Sequence, residues 1–277
     1  MMWCGNTLGA AVRGIPLLLA LSIFPAAVSA ETVKISGTGG ALGGMKLLAE
    51  AFQRANPGVE VVVAPSIGSS GGIRAAIAGK LDIGVSARRI LPEERSRAGL
   101  QQPYARTAFV FCANPAVKQS DITLSEIGDI YAGRKTGWGD GSPLRLILRP
   151  ASDTDTLTLG KISPEMSDAV ELSQKREGLI VAMSDQESAD AVERTTGGFG
   201  TTTLALVASE NRKLRILSVD GVTPSAKTVR DGSYPYTKTF FLITGPNLSP
   251  AAARFIRFVL SPEGKSVLSR VGHVPLQ

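Results

Sequence analysis

Between residues 59 and 85 the chain alternates strand, small-residue loop, helix and strand at short intervals, and this stretch constrains the fold most. Residues 59–64 form an apolar run of strand length that stops at Pro65. The following loop, Ser66-Ile67-Gly68-Ser69-Ser70-Gly71-Gly72, holds three serines and three glycines. Ile73, Ala76 and Ile77 then recur at helical spacing up to Gly79, and Asp82-Ile83-Gly84-Val85 reads as the next strand. A helix start leaves its first N–H groups unpaired and carries partial positive charge. Small residues let an anion approach those groups, and serine hydroxyls add donors. Two readings are open for Ser69, Ser70 and Gly71. Either they form an oxyanion-binding loop, or a serine caps the helix while the glycines turn the chain.

The pattern occurs twice. A short strand at 33–36 leads into Gly37-Thr38-Gly39-Gly40-Ala41-Leu42-Gly43-Gly44, and a helix is expected over 45–55. Leu47, Leu48, Ala51 and Phe52 share its apolar face, and Asn56-Pro57-Gly58 stops it. Two such loops at the ends of neighbouring strands face one crevice, where open α/β sheets bind ligands. The loop is not a P-loop, because no Gly-Lys-Ser or Gly-Lys-Thr follows, and it lacks the acidic residue of a dinucleotide fingerprint. A plain Gly-rich turn that packs a helix on a sheet is the alternative.

The rest of the chain keeps alternating. Strands are expected at 107–113, 144–148, 178–183, 214–219 and 238–244, and helices at 124–132, 184–195, 250–260 and 262–271. Thr123 and Glu126 have the spacing of a capping box. The strand at 144–148 runs into Arg149-Pro150-Ala151-Ser152-Asp153-Thr154-Asp155-Thr156. The class is α/β.

Residues 1–30 have the layout of a secretory signal peptide. Arg13 is their only charge, 15–24 are apolar, and Val28-Ser29-Ala30 offers small residues before a cut. The apolar core is too short to span a bilayer. Cleavage after Ala30 would remove 30 of 277 residues, leave 247, and lower the net charge from +6 to +5 by the loss of Arg13. With Cys4 gone, Cys112 would be the one thiol, which rules out an internal disulfide. It ends an apolar run, the setting of a buried, inert thiol.

Basic residues are scattered and only 5% of the chain is aromatic, so no nucleic-acid partner is expected. A mild positive charge suits an anionic small ligand. His273 lies in a segment that reads as a C-terminal turn, and no carboxylate or metal-ligand cluster has useful spacing. Neither an enzyme, a metal nor a cofactor is expected.

These residues add up to a family pattern. The chain resembles the periplasmic phosphate-binding proteins of ABC-type phosphate uptake, within the type II solute-binding fold. The likeness rests on Ser69-Ser70-Gly71-Gly72-Ile73 with Asp82-Ile83-Gly84-Val85-Ser86, and on Asp129-Ile130-Tyr131-Ala132-Gly133 with Trp138-Gly139-Asp140-Gly141 and Arg149. Asp231-Gly232-Ser233-Tyr234-Pro235, Phe258-Val259-Leu260-Ser261-Pro262-Glu263-Gly264 and Gly272-His273-Val274-Pro275 complete it.

The resemblance implies a two-lobed type II periplasmic-binding-protein fold with two crossover strands, placed near 108–112 and 239–243. Lobe I would be 31–112 plus 238–277, and lobe II 113–237. It also implies a periplasmic monomer that closes over phosphate or a similar tetrahedral oxyanion and hands it to an ABC permease in the inner membrane. The ligand-binding residues would be Thr38, Gly39, Gly40 and Ala41 in the first loop, and Ser69, Ser70 and Gly71 in the second. Ser86 follows, then Arg149 with Ser152, Asp153 and Thr154. Arg149 would give the one full positive charge on the ligand. Its plainer use is a salt bridge to Asp153 or Asp155.

Two departures stand out. Ser152-Asp153-Thr154 replaces the family's Ser-Gly-Thr one residue early, and Ala87 stands where relatives often carry an aspartate that accepts the proton of phosphate. Three explanations are open: Asp153 or Asp155 supplies that acceptor, the aspartates cap the next helix, or the ligand is another oxyanion such as sulfate, molybdate or tungstate. A sensing protein that signals to a membrane receptor is the alternative to uptake.

Overall fold

The computed structural model describes Gly5 and residues 31–276, so Cys4 and the expected cleavage at Ala30 lie outside the described residues. The described chain opens with β1 (Glu31–Gly37), α1 (Gly39–Ala55), β2 (Val59–Val63), α2 (Gly68–Ile77) and β3 (Ile83–Ser86). A short α3 (Pro92–Arg95) leads into the long strand β4 (Gln101–Ala113). Then come β5 (Asp121–Ile122), α4 (Leu124–Ala132), β6 (Arg145–Leu148), α5 (Thr154–Leu159) and α6 (Pro164–Gln174). β7 (Ile180–Val181), α7 (Asp185–Arg194), β8 (Gly198–Thr203) and α8 (Leu204–Ser209) follow. β9 (Arg215–Ile216), β10 (Ser218–Val219) and α9 (Ala226–Asp231) precede β11 (Thr237–Ile243). The chain closes with α10 (Pro250–Leu260), α11 (Pro262–Ser269) and β12 (His273–Pro275).

The main sheet runs β2-β1-β3-β11-β4-β8-β6-β7. Its two flanks are parallel: β1 pairs β2 and β3, and β6 pairs β7 and β8. The middle is antiparallel. β4 pairs β11 through Gln101–Ala108 and then β8 through Phe109–Ala113, so one strand passes from flank to flank. Parallel neighbours need crossover helices, and those helices cover both faces.

The core divides along the same line. Val33, Ile35, Phe52, Val85, Tyr104, Ala105, Phe240 and Phe255 pack in one cluster. Phe109, Phe111, Ile127, Tyr131, Trp138, Leu148, Phe199 and Tyr234 pack in another. On β4 the changeover falls between Ala105 and Ala108. Each flank therefore buries its own aromatic centre, and β4 with β11 carries the connection.

The structure corrects four sequence expectations. α1 begins at Gly39 rather than Met45, so most of the supposed glycine loop is helix. The physical reason is close packing. A Cβ on Gly43 would collide with Ser209 Oγ, and one on Gly44 would lie 2.7 Å from His273 Nε2. Those glycines let α1 press on α8 and β12, at a propensity loss of roughly 1 kcal/mol each against alanine. The strand expected at 178–183 shrinks to Ile180–Val181, an exposed edge. The run 214–219 splits between β9 on β4 and β10 on β5, in separate sheets. His273 is a buried strand residue, not part of a turn. The Thr123–Glu126 capping box is present as expected.

Candidate functional site

Three helix starts are drawn together by side chains. β1 ends at Gly37, whose φ of +151° and lack of a Cβ allow Val85 O to approach, where any Cβ would collide with it. Thr38 N donates to the same oxygen at 2.9 Å, which fixes the approach to α1. Thr38 is buried and makes no side-chain cap, so the N–H groups of Gly39 and Gly40 at the start of α1 have no hydroxyl over them, while Ala41 N donates to Thr38 O at 3.2 Å. Carbonyls at this end are held from across the sheet, with Gln186 Nε2 donating to Gly39 O and Thr203 Oγ1 to Gly40 O, both at 3.1 Å.

Neither Ser69 nor Ser70 caps α2. The N-cap is Ile67, and the two serines lie inside the first turn beside Gly71. Ser69 Oγ accepts Ala87 N at 3.0 Å and lies 3.1 Å from Thr154 Oγ1 on α5, which links the two flanks across the cleft. Ser70 Oγ is taken up by Arg88, which donates from Nε at 3.2 Å and Nη2 at 3.1 Å while also gripping Glu94 with both ends. Ser86 donates its only proton to Arg88 O at 2.7 Å, within its own turn.

Asp153 is the N-cap of α5, where its carboxylate accepts Asp155 N at 2.9 Å. The same carboxylate binds Arg149 at both ends, from Nε at 3.3 Å and Nη2 at 2.8 Å. Arg149 Nη1 donates to Ala182 O at 2.9 Å. A guanidinium has five N–H groups, so two of Arg149's remain without a hydrogen-bond partner among the described residues. Arg149 is only 4% exposed. Burial by itself would weaken its charge, but the Asp185, Asp153 and Asp155 carboxylates outweigh that and hold it above the ordinary arginine value.

Beside Arg149 the structure adds Lys238 and Asp185, which the sequence did not assign to binding, and it pairs Asp155, one of the two acceptor candidates. Asp155 forms a buried ion pair with Lys238, a contact from α5 to β11, and accepts Thr201 Oγ1 at 3.5 Å. Asp185, in the first turn of α7, places Oδ2 3.9 Å from Arg149 Nη2. It is 3% exposed, and its Oδ1 has no hydrogen-bond partner among the described residues. Burial first, and the Asp155 charge next, push its carboxyl up to about 6 against the pull of Lys238 and Arg149. In sequence Asp185 follows Ser184 at a helix start, a position acids occupy for the helix dipole alone. No local signal marks it.

Asp153 also lines a cleft of about 530 Å³, bounded by Ser66, Ile67, Gly68, Ser69, Ser70, Gly71 and Arg74 on one side. Pro150, Ser152, Asp153, Thr154 and Met183 line the other. Ser69, Ser70, Gly71, Ser152, Asp153 and Thr154 thus meet at the cleft, while Thr38, Ser86 and Arg149 are buried. Gly39, Gly40 and Ala41 reach the buried Arg149 cluster through Asp185: a Cβ on Gly39 would lie 2.8 Å from its Oδ2.

The chemistry on offer is anion binding: unpaired helix N–H groups, hydroxyls and one guanidinium, screened from water. Burial raises the Cys112 thiol well above its ordinary value and lowers His273 to about 4. Among the described residues no group of three His, Cys, Asp or Glu side chains is arranged for a metal.

A model of the PBP superfamily domain matches residues 25–263. The phosphate-binding protein PstS of Bacillus subtilis is 25% identical over 241 residues, covering 82% of this chain and 75% of the relative. A Clostridium perfringens protein, described as a putative phosphate ABC transporter substrate-binding protein and solved with bound phosphate, superposes with a TM-score of 0.75 at 23% identity. That match covers 89% of this chain and 100% of the other. The periplasmic molybdate-binding protein of Azotobacter vinelandii superposes with a TM-score of 0.62 at 18% identity, over 88% and 100% of the two chains.

Proposed function

The chain belongs to the PBP superfamily and has a type II periplasmic-binding fold, and from that premise we propose that it captures phosphate between two lobes and passes it to an ABC permease. The lobes are 31–112 with 238–277, and 113–237. The ligand lies among Thr38, Gly39, Gly40, Ala41, Ser69, Ser70, Gly71, Ser86, Arg149, Ser152, Asp153 and Thr154. The protein works as a periplasmic monomer after loss of its signal peptide, and it performs no catalytic step.

One observation carries this reading: buried Arg149 keeps two N–H groups free of acceptors among the described residues, beside helix starts from both flanks. Closure follows from a hinge at β4 and β11, the two strands that join the flanks. The name shared by relatives such as the Bacillus subtilis protein points to the same ligand.

A second reading, another tetrahedral oxyanion, is favoured by Ala87, which puts a methyl group where the family resemblance leads one to expect an aspartate. Titration calorimetry on the mature chain, stripped of ligand by partial unfolding and dialysis, decides between them. Phosphate, arsenate, sulfate, molybdate and tungstate are compared. Tight phosphate binding with sulfate excluded is expected. Absence of phosphate binding, with or without another anion in its place, rejects the phosphate reading.

A further inference from the structure

We propose that Asp185 is the residue that selects a protonated oxyanion, its unpartnered carboxylate oxygen accepting the hydrogen of hydrogen phosphate or hydrogen arsenate held against Arg149 and the start of α1. This rests on the oxyanion-binding reading above and assigns its specificity to a residue on a different helix from every binding motif.

Three carboxylates surround Arg149, and only Asp185 has a buried oxygen that accepts no hydrogen bond among the described residues. Both oxygens of Asp153 are engaged, by Arg149 and by the Asp155 N–H. Both oxygens of Asp155 are engaged, by Lys238 and by Thr201. Asp185 has Oδ2 near Arg149 and Oδ1 with no partner, while being 3% exposed. Native proteins pair nearly every buried polar atom, so an orphan acceptor at a ligand site marks where a ligand donor belongs.

Position agrees with this. Asp185 sits between Arg149 and the first turn of α1: a Cβ on Gly39 would lie 2.8 Å from its Oδ2, and one on Gly40 3.6 Å from its Oδ1. Gln186 points the same way. Its Nε2 donates to Gly39 O and to Glu210, which orients the amide, and its Oε1 has no partner. The groups facing Asp185 are Arg149 from the end of β6, Asp153 and Asp155 from α5, and Lys238 from β11. The α1 start adds N–H groups and no titratable side chain.

A floor of donors that includes one bare acceptor complements a ligand with several acceptor oxygens and one hydrogen. Hydrogen phosphate is such a ligand. Sulfate, molybdate and tungstate, fully ionised at neutral pH, would set a bare oxygen against a bare carboxylate where water cannot screen the repulsion. Specificity would then come from a repulsive element as much as from an attractive one.

The test is Asp185→Asn in the full mature chain, titrated with phosphate and with sulfate at pH 8. The amide keeps the shape and replaces the repelling charge with a donor. The preference for phosphate over sulfate is expected to fall tenfold or more, chiefly through a gain for sulfate. If the unaltered chain binds phosphate and the preference does not move, Asp185 has no such role and the uptake reading stands. If the unaltered chain binds neither phosphate nor arsenate, both readings fail.

Should the variant not fold, the unaltered chain is titrated with sulfate at pH 5 and pH 8. Sulfate stays a dianion across that range, so its binding reports the protonation of Asp185. At least tenfold tighter binding at pH 5 is expected. Equal binding at both, including none at either, overturns the proposal.

Discussion

Arg149 and Arg212 are two arginines set among acids, and only their surroundings in the fold show how they differ. Arg212 makes three hydrogen bonds, as Arg149 does, to Asp190 through Nη1 and to Glu210 through Nε and Nη2, with Glu193 at 3.6 Å, and its remaining N–H groups are open to water. Its side chain is 16% exposed, so water screens what the acids do not. Arg149 is more deeply buried, binds one carboxylate at both ends, and still has N–H groups to offer beside an orphan oxygen on Asp185. The first cluster joins α7 to the chain after α8. The second is incomplete as a protein structure, and the proposed ligand would complete it. Unsatisfied hydrogen-bonding capacity, rather than charge, separates function from architecture here.

The largest way to break the comparison is through the countercharge of the Arg149 cluster. Lys238→Met leaves Asp155 buried without its cation and is expected to lower stability by roughly 3–5 kcal/mol in urea unfolding. A loss under about 1 kcal/mol would mean that Asp155 is neutral or solvated without Lys238.

Next is the orphan acid itself. A carboxyl raised from 3.8 to about 6 holds its proton more tightly in the folded protein, so its stabilising contribution is present below pH 3.8 and is lost as pH rises through 6. Asp185→Asn is therefore expected to stabilise the ligand-free protein at pH 7.5 by up to about 3 kcal/mol, because each tenfold gain in proton affinity on folding corresponds to roughly 1.4 kcal/mol. The gain should vanish by pH 4. Destabilisation at pH 7.5 would show the carboxylate to be a structural partner like those around Arg212.

Binding gives the third contrast. Arg149→Ala is expected to weaken phosphate binding tenfold or more, since a charge-assisted hydrogen bond contributes about 1.5–3 kcal/mol. An unchanged dissociation constant in calorimetry would remove Arg149 from the site. The smallest effect belongs to Arg212→Ala. Its partners are partly exposed, so a stability change within about 1 kcal/mol and an unaltered phosphate affinity are expected. A tenfold loss of affinity there would erase the distinction between the clusters.

Much of the fold is legible in the residue order. The α/β alternation, the Thr123–Glu126 capping box and the proline starts of α10 and α11 all arise from neighbours within one turn, and local chemistry decides them. The buried, inert Cys112 follows from its apolar run in the same way. The Ser/Gly and Ser/Asp/Thr segments that line the cleft stand out locally as small residues at helix starts, whereas Arg149 is singled out by the family resemblance.

What the sequence could not supply is everything set by residues far apart in the chain. Glycines 39, 40, 43 and 44 look like a loop because their intrinsic helix propensity is poor. Contact with α7, β8, α8 and β12 overrides that propensity by requiring no Cβ. Arg149 meets Asp153 four residues on, as its nearest acids suggested, yet its third carboxylate comes from Asp185 across the flank. Asp185 read locally is an ordinary acid in a helix's first turn. Only packing that buries one oxygen and withholds a donor from it makes that carboxylate different, because hydrogen-bond satisfaction belongs to the assembled fold and not to any segment.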